Sequence, residues 1–329
     1  MSKTESPTLS IILLMSRSFD WLQKTLVYWG RQTIHDQIEA IIVRPEHLRD
    51  VPIKEEFLRP FHSYRVITIL ELSAVGVGFA AGVHEAAGEY VALAEDHAFP
   101  QPDVAEKLVA AFRSDPAVVA AGPKIDSANM RSSISQASFI NGFWMVMFEQ
   151  KSRAVSALAG HNTSYRRDFL TGYGDELATV YEVERILHFE IEKQGKTLYI
   201  VADATMHHAN ISRLSMALVH DYWGGRWFGA KRAEDWSVGR KLVYIIGAPL
   251  IPLVRLRRIV AAMRQSPDDY RELPKLLPAL LLMLAAHAFG EGSGYLLGSG
   301  KSSERYAPFE LSRREQLSDA DRAVIDQID

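Results

Sequence analysis

The stretch GEYVALAEDHAFPQP, residues 88–102, decides the fold of this chain. It begins as a short apolar run and stops at three side chains that can bind a metal ion, Glu95, Asp96 and His97. A loop broken by prolines follows. In open α/β sheets, ligands bind beyond the carboxyl ends of the strands. The stretch therefore predicts a buried strand that ends at a ligand site.

The residues before this stretch predict the rest of a parallel sheet. Leu9–Leu14 is a continuous apolar run, as expected for a strand that is buried on both faces. Apolar residues from Trp21 to Trp29 then recur at helical spacing. Ile38–Val43 and Arg65–Leu70 are candidates for the second and third strands. Strand, helix and strand in this order indicate a βαβ unit with a right-handed crossover.

Composition excludes several classes of protein. The 329 residues are 47% hydrophobic and 23% charged, which is typical of a globular chain and not of a disordered one. The formal charge of −3 gives no general case for binding nucleic acid. Because the chain has no cysteine, disulfides, thiolate metal sites and cysteine nucleophiles are excluded. This composition fits a reducing compartment.

The first residues contain only a short apolar run, Leu9–Met15, with charged residues on both sides. This run is at the lower length limit for a signal peptide, and no small-residue cleavage site follows it. We therefore interpret it as the first strand and expect a cytoplasmic protein.

The chain divides by composition into three predicted regions: an α/β domain at 1–210, a helical region at 211–298 and a polar tail at 299–329. Two apolar runs lie in the helical region, Leu242–Val254 and Leu273–Phe289, and prolines interrupt both. Neither run cleanly reaches the length of about 20 apolar residues that spans a bilayer.

Basic residues surround these apolar runs, and those after the first run are Arg255, Arg257, Arg258 and Arg264. Apolar helices next to an arginine cluster are typical of a segment that lies in the interface of an anionic cytoplasmic leaflet. This predicts peripheral contact with the inner face of the cell membrane. A helical subdomain that packs on the protein core is the alternative.

Four ordered motifs resemble those of the family-2 glycosyltransferases, which have the GT-A fold: a mostly parallel central sheet flanked by helices. The resemblance spans roughly residues 8–230, and amphipathic helices would follow the GT-A domain. The motifs are YVALAEDHAFP at 90–100, GHNTSYRR at 160–167, LTGYGDELATVYEVER at 170–185 and ADATMHH at 202–208.

The resemblance implies a role for each motif. In the D-x-D signature, Glu95 takes the place of the first aspartate and His97 that of the second, and this E-D-H version is typical of a subgroup. His208 would complete the metal site. The implied donor and diphosphate contacts are Glu95, Asp96, Asn162, Arg166 and Arg167, and the implied acceptor-side residues are His161, Trp223, Arg226 and Trp227.

The chemistry of sugar transfer explains these residue types. A nucleotide-diphosphate leaving group gains negative charge, which a divalent cation neutralises as a Lewis acid and template. Mg²⁺ prefers oxygen ligands, whereas Mn²⁺ accepts carboxylate and imidazole together. A site made of Glu95, His97 and His208 therefore favours Mn²⁺, with Mg²⁺ possible. Alone, acids at a strand end are more often a solvated turn than a metal site.

The acceptor hydroxyl also needs a base that removes its proton. Two carboxylates in the third motif can supply it. Counting back from Gly195 favours Glu184, whereas counting forward from Asp175 favours Glu182. Both residues also suit a helix start, where the helix dipole favours carboxylates regardless of catalysis. We favour Glu184 and keep Glu182 as the alternative.

Together these patterns predict an inverting, metal-dependent glycosyltransferase of the hexosyltransferase type. The donor would be a nucleotide-diphosphate sugar and the acceptor a glycan or lipid-linked glycan in surface polysaccharide synthesis. The acidic D-D-x-S loop of the family is replaced by VRPEHLRD at 43–50, so UDP, GDP and dTDP donors stay open. Two alternatives are a degenerate GT-A module that binds nucleotide or glycan without turnover, and a membrane-associated scaffold.

Overall fold

A computed structural model describes residues 6–327 of the chain. The chain forms two compact units. The sheet unit contains the chain up to Asp126 and the segment Glu149–His208. The helical unit contains Ser127–Phe148 and the chain from Ala209 onward.

The helices and strands follow one another along the chain as α/β elements first and helices afterwards. In chain order they are β1 (Leu9–Leu14), α1 (Asp20–Gly30), β2 (Ile38–Pro45), β3 (Ser63–Ile69), α2 (Val75–Glu85), β4 (Tyr90–Leu93), β5 (Ala98–Pro100), α3 (Val104–Ser114), β6 (Val118–Ser127), α4 (Ser133–Phe143), β7 (Arg153–Val155), β8 (Ser164–Arg166), α5 (Arg167–Thr171), α6 (Leu177–Tyr181), α7 (Glu184–Lys193), β9 (Thr197–His208), α8 (Leu214–Arg232), α9 (Val238–Gly247), α10 (Ile251–Met263), α11 (Pro267–Leu297), α12 (Ser302–Leu311) and α13 (Asp319–Gln327).

The sheet has the strand order β3-β2-β1-β4-β8-β6-β9-β5, and β7 pairs with β9. The pairings from β3 to β4 are parallel, as predicted for the first strands. The pairings β4–β8, β6–β8, β5–β9 and β7–β9 are antiparallel. Helices flank this central sheet, which confirms the predicted α/β fold and adds an antiparallel half to it.

Strands β1 and β4 are neighbours inside the sheet. All six residues of β1 are buried, and Ile12 pairs with Leu93 in the parallel register. Helix α2 packs closely on these strands because Gly82 has no side chain. A Cβ atom at Gly82 would lie 2.5 Å from Cγ2 of Ile12. The glycines of α2 therefore set the distance between this helix and the sheet.

The motif at 160–167 contains a strand that the sequence did not indicate. Its residues Ser164–Arg166 form strand β8 between β4 and β6. A three-residue strand is too short to produce an alternating pattern. Tyr165, which is fully buried, holds the strand in the core.

In the helical unit, α11 is the central helix and packs along α8, with α4, α9 and α10 also against it. Phe139 and Ile140 of α4 are buried. This packing groups 127–148 with the residues after 208, whereas the sequence placed them in a domain at 1–210. The predicted polar tail at 299–329 contains α12 and α13, and Phe309 of α12 is largely buried.

Backbone contact between α8 and α11 depends on glycines. A Cβ atom at Gly290 would lie 2.1 Å from the carbonyl oxygen of Tyr222, and one at Gly225 would lie 2.3 Å from that of His287. Both contacts are with rigid backbone, which cannot move aside as a flexible side chain can. Small residues at such crossings let two helices approach closely.

Within residues 6–327, one helix has the length and hydropathy of a membrane-crossing segment, and that helix is α11. In its most apolar 18-residue window, 44% of the residues are buried inside the protein. Length and composition alone do not separate a membrane span from the core helix of a folded unit.

We predict that Gly290→Ala lowers the free energy of unfolding of the helical unit by about 3 kcal/mol or more, because overpacking against fixed backbone forces the helices apart. Urea unfolding of the full chain measures this change. Gly239→Ala on α9 is the control, since its Cβ atom would meet no other atom within 4 Å. The control should gain up to about 1 kcal/mol from helix propensity. Equal stability of the two variants would contradict the close contact.

Candidate active site

Glu95, His97 and His208 come together in the sheet unit, and we call them the metal-site cluster. One ligand atom from each lies within 4.8 Å of the others. Two strand registers bring them together. Glu95 follows the end of β4, and the pairing of Ala98 with His208 brings the end of β9 beside β5.

The two histidines face the two oxygens of Glu95. Nε2 of His97 lies 3.5 Å from Oε1 of Glu95, and Nε2 of His208 lies 3.5 Å from Oε2. The two imidazole rings meet edge to face, with centroids 4.8 Å apart. All three residues are buried. The three side chains therefore converge on one small space.

Neighbouring side chains orient this cluster. Oδ1 of Asp96 lies 2.6 Å from Nδ1 of His97, which leaves Nε2 of that ring turned toward Glu95. Asn162 donates from Nδ2 to Oε2 of Glu95. Its φ of 69° is in the left-handed region, where asparagine is one of the tolerated residues. Partners of this kind fix the orientation of metal ligands.

His161 connects two carboxylates. Its Nδ1 lies 2.9 Å from Oε1 of Glu95, and its Nε2 contacts Oε1 of Glu184. In the second contact the two atoms are close enough for an ion pair, but their geometry is not that of a hydrogen bond. Gly160 makes room for it, since a Cβ atom there would lie 2.9 Å from the carboxylate of Glu184. The imidazole therefore stands between the metal-site cluster and the first residue of α7.

The electrostatics of Glu95 are set by its neighbours. Burial by itself would raise the pKa of this carboxyl group. The three histidines His97, His161 and His208 outweigh burial and hold the pKa of Glu95 well below its ordinary value. Glu95 is therefore ionised at neutral pH, as a metal-binding carboxylate must be.

The two candidate bases occupy different positions. Glu184 begins α7 and contacts His161. Glu182 follows α6 and lies against α2, where its Cγ would be 2.9 Å from a Cβ atom at Gly76. Tertiary packing thus distinguishes two carboxylates that the sequence left open.

Beneath His161 lies a column of aromatic rings that the sequence analysis missed. The ring of Tyr181 stacks on Phe79 at 3.9 Å and lies 6.3 Å from the ring of His161. The ring of Tyr165 meets Tyr181 edge to face at 6.0 Å. Tyrosines within apolar segments are usually core residues, so no pattern in the sequence distinguishes these two from ordinary core tyrosines.

The hydroxyl group of Tyr181 is buried, and within residues 6–327 it has no hydrogen-bond partner. Burial raises the pKa of Tyr181 well above its ordinary value, and the negative charges of Glu184 and Glu95 add to this effect. The phenol therefore stays protonated. Oδ1 of Asn162 and Oγ of Ser164 are also buried without partners in the same part of the chain.

A second buried pair adjoins this column. The hydroxyl oxygen of Tyr165 lies 3.4 Å from Nε2 of His188 on α7. Burial lowers the pKa of His188 to about 3, and the charge of Arg185 acts in the same direction. His188 is therefore neutral at physiological pH, and it supports the packing of α7 as an uncharged ring.

Two of the predicted donor residues are not brought to the cluster. Nε of Arg166 donates to the carbonyl oxygen of Val118, and Nε of Arg167 donates to that of Gly88. Val118 begins β6 and Gly88 lies just before β4, whereas Glu95 follows the end of β4. Seven residues at the rise of a strand separate Gly88 from Glu95 by roughly 20 Å. The antiparallel pairing of β8 with β4 explains why Asn162 and Arg166 diverge.

The predicted acceptor-side residues on α8 belong to the helical unit, where their contacts are internal. Trp227 is buried and packs edge to face on Tyr306. Arg226 donates from Nε to the carbonyl oxygen of Gly298 and lies over the ring of Trp223. These contacts support the helices, and an acceptor role for the three residues stays a prediction.

The metal-site cluster fits a divalent cation. Ligand atoms placed 2.0–2.2 Å from one ion lie about 3 to 3.5 Å from each other. The two distances of 3.5 Å from Glu95 to the histidines match this spacing. One carboxylate and two imidazoles suit Mn²⁺ and Zn²⁺ better than Mg²⁺. The unpartnered Oδ1 of Asn162 adds a further oxygen beside the cluster.

The fold and the site define the class of this protein. Residues 19–174 match the family model described as Glycosyl transferase family 2, and this segment belongs to that family. The resemblance inferred from the four motifs is therefore confirmed, and with it the GT-A fold. The matched segment includes Glu95, His97, His161 and Asn162, and it ends before Glu184 and His208.

Several solved structures are similar to the chain at low sequence identity. S. aureus TarS 1–349 in complex with UDP is 14% identical, with a TM-score of 0.48, and the match covers 87% of this chain and 90% of that one. S. aureus TarS is 14% identical at a TM-score of 0.46, covering 87% of this chain. GalNAc-T7 with UDP, GalNAc and Mn²⁺ is 15% identical at a TM-score of 0.48, covering 71% of this chain.

The chain spans 55% of the length of that TarS structure and 52% of the GalNAc-T7 structure. No curated protein sequence matches the chain.

We predict that Tyr181→Phe leaves the free energy of unfolding unchanged or raises it by about 1 kcal/mol, because it removes a buried hydroxyl that has no partner. Tyr181→Ala removes the ring stack as well and should cost about 3 kcal/mol or more. Urea unfolding of both variants tests this. A loss of stability in Tyr181→Phe as large as that in Tyr181→Ala would show that the hydroxyl is satisfied in solution.

Proposed function

We propose that this protein is an inverting glycosyltransferase that moves a sugar from a nucleotide-diphosphate donor to a hydroxyl group of an acceptor. The family of residues 19–174 supports the transferase class. The observation that carries the proposal is the position of His161 between Glu95 and Glu184. In this arrangement His161 lies between the carboxylate of Glu184 and the metal-site cluster, and the reaction needs both a base and a cation.

In the proposed reaction, Glu184 is the general base. The acceptor oxygen attacks the anomeric carbon of the donor sugar, and its proton passes to the carboxylate of Glu184. The bond between the anomeric carbon and the diphosphate oxygen breaks, and its electron pair leaves with the nucleoside diphosphate. One displacement of this kind inverts the anomeric configuration.

Glu95, His97 and His208 would hold the cation, and Asp96 and Asn162 would keep the ligands oriented. When bound, the cation neutralises the charge that grows on the leaving diphosphate. The protonated hydroxyl of Tyr181 lies within the electrostatic reach of both carboxylates. His161 keeps Glu184 at a fixed position relative to the cluster, and the stacked ring of Tyr181 supports His161 from below.

The finer parts of the function follow from the resemblance. We propose a glycan or lipid-linked glycan as acceptor, in surface polysaccharide synthesis, with the enzyme at the inner face of the cell membrane.

The donor base stays open among UDP, GDP and dTDP. Where the family carries its acidic nucleotide loop, the chain has a short 3-10 helix at Glu46–Leu48, in which Glu46 pairs with Arg49.

A donor panel tests the proposed activity directly. The full chain is incubated with UDP-, GDP- and dTDP-sugars in the presence of Mn²⁺ or of a chelator, and release of nucleoside diphosphate is measured. We expect release from one donor class, dependent on the cation. Tight nucleotide binding with no release from any donor, in the presence of acceptor glycans, would instead identify a binding module without turnover.

We predict that Glu184→Gln lowers turnover by about 10²- to 10⁴-fold, which is the usual contribution of a general base. Donor affinity, measured by calorimetry, should stay within a factor of about three, since the carboxylate acts only on the acceptor. Glu182→Gln is the matched control and should retain turnover. The reverse pattern, with Glu182→Gln inactive and Glu184→Gln active, would reassign the base.

A glycine variant gives an independent test of the same position. Gly160→Ala inserts a methyl group into the space occupied by the carboxylate of Glu184. Because that carboxylate is the flexible end of a side chain, it can move aside at little cost in stability. We expect turnover to fall by at least about 10-fold, since small displacements of a reacting group are costly. The thermal midpoint should change little, and full activity of this variant would contradict the proposed role of Glu184.

The metal-site cluster predicts a difference between two adjacent histidines. His208→Ala should weaken Mn²⁺ binding by more than about 10-fold, because even the outer partners of metal ligands contribute 10- to 100-fold. His207→Ala is the control, since neighbouring residues of a strand point to opposite faces. Titration of Mn²⁺ by electron paramagnetic resonance measures both affinities without any substrate. Equal affinities would exclude His208 as a ligand.

A further inference from the structure

The helical unit exposes an apolar surface that its own packing does not use. Large aliphatic side chains between 47% and 80% exposed lie on α9, on the 3-10 helix after it and on α10. These are Val238, Leu242, Val243, Ile246, Leu250, Leu253 and Val254. Folded domains rarely leave so many neighbouring aliphatic residues in water, and such patches mark interaction sites.

The exposed residues follow helical spacing. Val238, Leu242 and Ile246 are four residues apart and therefore lie along one face of α9. On the opposite side of α9, the ring of Tyr244 packs on those of Trp236 and Tyr295. Helix α9 therefore packs its aromatic side against neighbouring rings and leaves its aliphatic side exposed to solvent.

The charge of this segment differs from that of the rest of the chain. Residues 236–267 contain no aspartate or glutamate and six lysine or arginine residues, which gives a formal charge of +6. Since the whole chain carries −3, the remaining residues carry −9. Arg257 and Arg258 are exposed on α10, one turn after Leu253 and Val254. Basic residues therefore extend the exposed apolar surface along α10.

We propose that α9, the 3-10 helix at Ala248–Leu250 and α10 form a lipid-binding surface that lies in the headgroup region of an anionic membrane. Exposed aliphatic residues flanked by arginines are the combination that binds such an interface, by burial of apolar area and by attraction to acidic lipids. This inference names the element that would make the membrane contact, and it does not depend on sugar transfer.

Helix α11 is a poorer candidate for the membrane contact. It contains Glu291, which is buried and lies 3.4 Å from Nη1 of Arg232. Its glycines contact the backbone of α8, and much of its most apolar window is buried inside the protein. Moving α11 into lipid would break this packing and expose a charged pair to hydrocarbon. The surface of α9 and α10 needs no such change.

A second copy of this chain is also a poorer partner. Two-fold dimers bring the same surface of each subunit together. Such a dimer would bring the exposed arginines Arg257 and Arg258 of one copy toward the same basic surface of the other, which like-charge repulsion opposes. An anionic lipid surface instead offers the opposite charge. Charge complementarity therefore selects lipid as the partner.

Vesicle flotation of the full chain tests this proposal without donor or acceptor. Vesicles of phosphatidylcholine alone are compared with vesicles of phosphatidylcholine and phosphatidylglycerol, at low and high salt. We expect binding to the vesicles with phosphatidylglycerol and a weakening of that binding by salt, because exposed charges are screened. Equal binding to both vesicle types, or to neither, would overturn the proposal.

Two double variants test the residues. Arg257→Gln with Arg258→Gln should lower partitioning about 25-fold, since each basic residue near an anionic surface contributes about fivefold. Ile246→Glu with Leu250→Glu should reduce binding at least as much. The control for the arginine variant is Arg59→Gln with Arg131→Gln, which removes the same charge elsewhere. The control for the glutamate variant is Leu70→Glu, which alters a side chain that is 88% exposed in the sheet unit. Both controls should bind like the unaltered chain.

The other outcomes separate the competing partners. If the unaltered chain sediments as a dimer, fails to bind vesicles and becomes a monomer through Ile246→Glu with Leu250→Glu, the surface is a protein interface and the proposal is wrong. Circular dichroism of each variant checks that the exposed substitutions leave the fold intact. Because donor turnover is not measured, failure of the transferase proposal would leave this test unaffected.

Discussion

The contacts of the buried Glu95 carboxylate are the interaction on which the candidate-site end of the sheet depends. An ionised carboxylate without partners costs several kcal/mol when it is buried. Here His97, His161, Asn162 and His208 surround it, and they come from the chain just after β4, from the turn before β8 and from the end of β9. Each of these segments must be in its place for the charge to be tolerated. The fold must therefore bring these partners to Glu95, and their contacts stabilise a polar cluster inside an apolar sheet.

The insertion of β8 between β4 and β6 connects that constraint to the proposed chemistry. Because β8 is antiparallel to both neighbours, the turn that precedes it lies at the carboxyl end of β4, and His161 and Asn162 lie in that turn. At the other end of β8, Arg166 donates hydrogen bonds to the carbonyl oxygens of Val118 and Phe112. Within this one motif, the residues before β8 therefore lie at the candidate site, and the residue at the end of β8 stabilises the sheet. The aromatic column of Phe79, Tyr181 and His161 then connects helices α2 and α6 to the site.

The chain separates two physical tasks. The sheet unit holds the buried Glu95 among its histidines, and the helical unit packs α8 against α11 while leaving the aliphatic face of α9 exposed. The distribution of charge follows this separation, since 236–267 is basic within an otherwise acidic chain. The catalytic proposal and the lipid-binding proposal therefore rest on different residues, and each can fail without the other.

Unbroken apolar runs in the sequence predicted the strand β1 and a second buried strand, β4, that ends before Glu95. The sequence also indicated Glu95, His97 and His208 as one cluster, because motifs placed each of them at the end of an element. Three features came only from the folded structure: Glu184 contacts His161, Arg166 and Arg167 bond to carbonyl oxygens near the starts of β6 and β4, and 127–148 packs with the helices. Local periodicity reports which residues are buried, whereas strand register and helix packing decide which distant side chains touch. Strand register and helix packing join residues that are far apart in the sequence, so no local sequence pattern predicts these contacts.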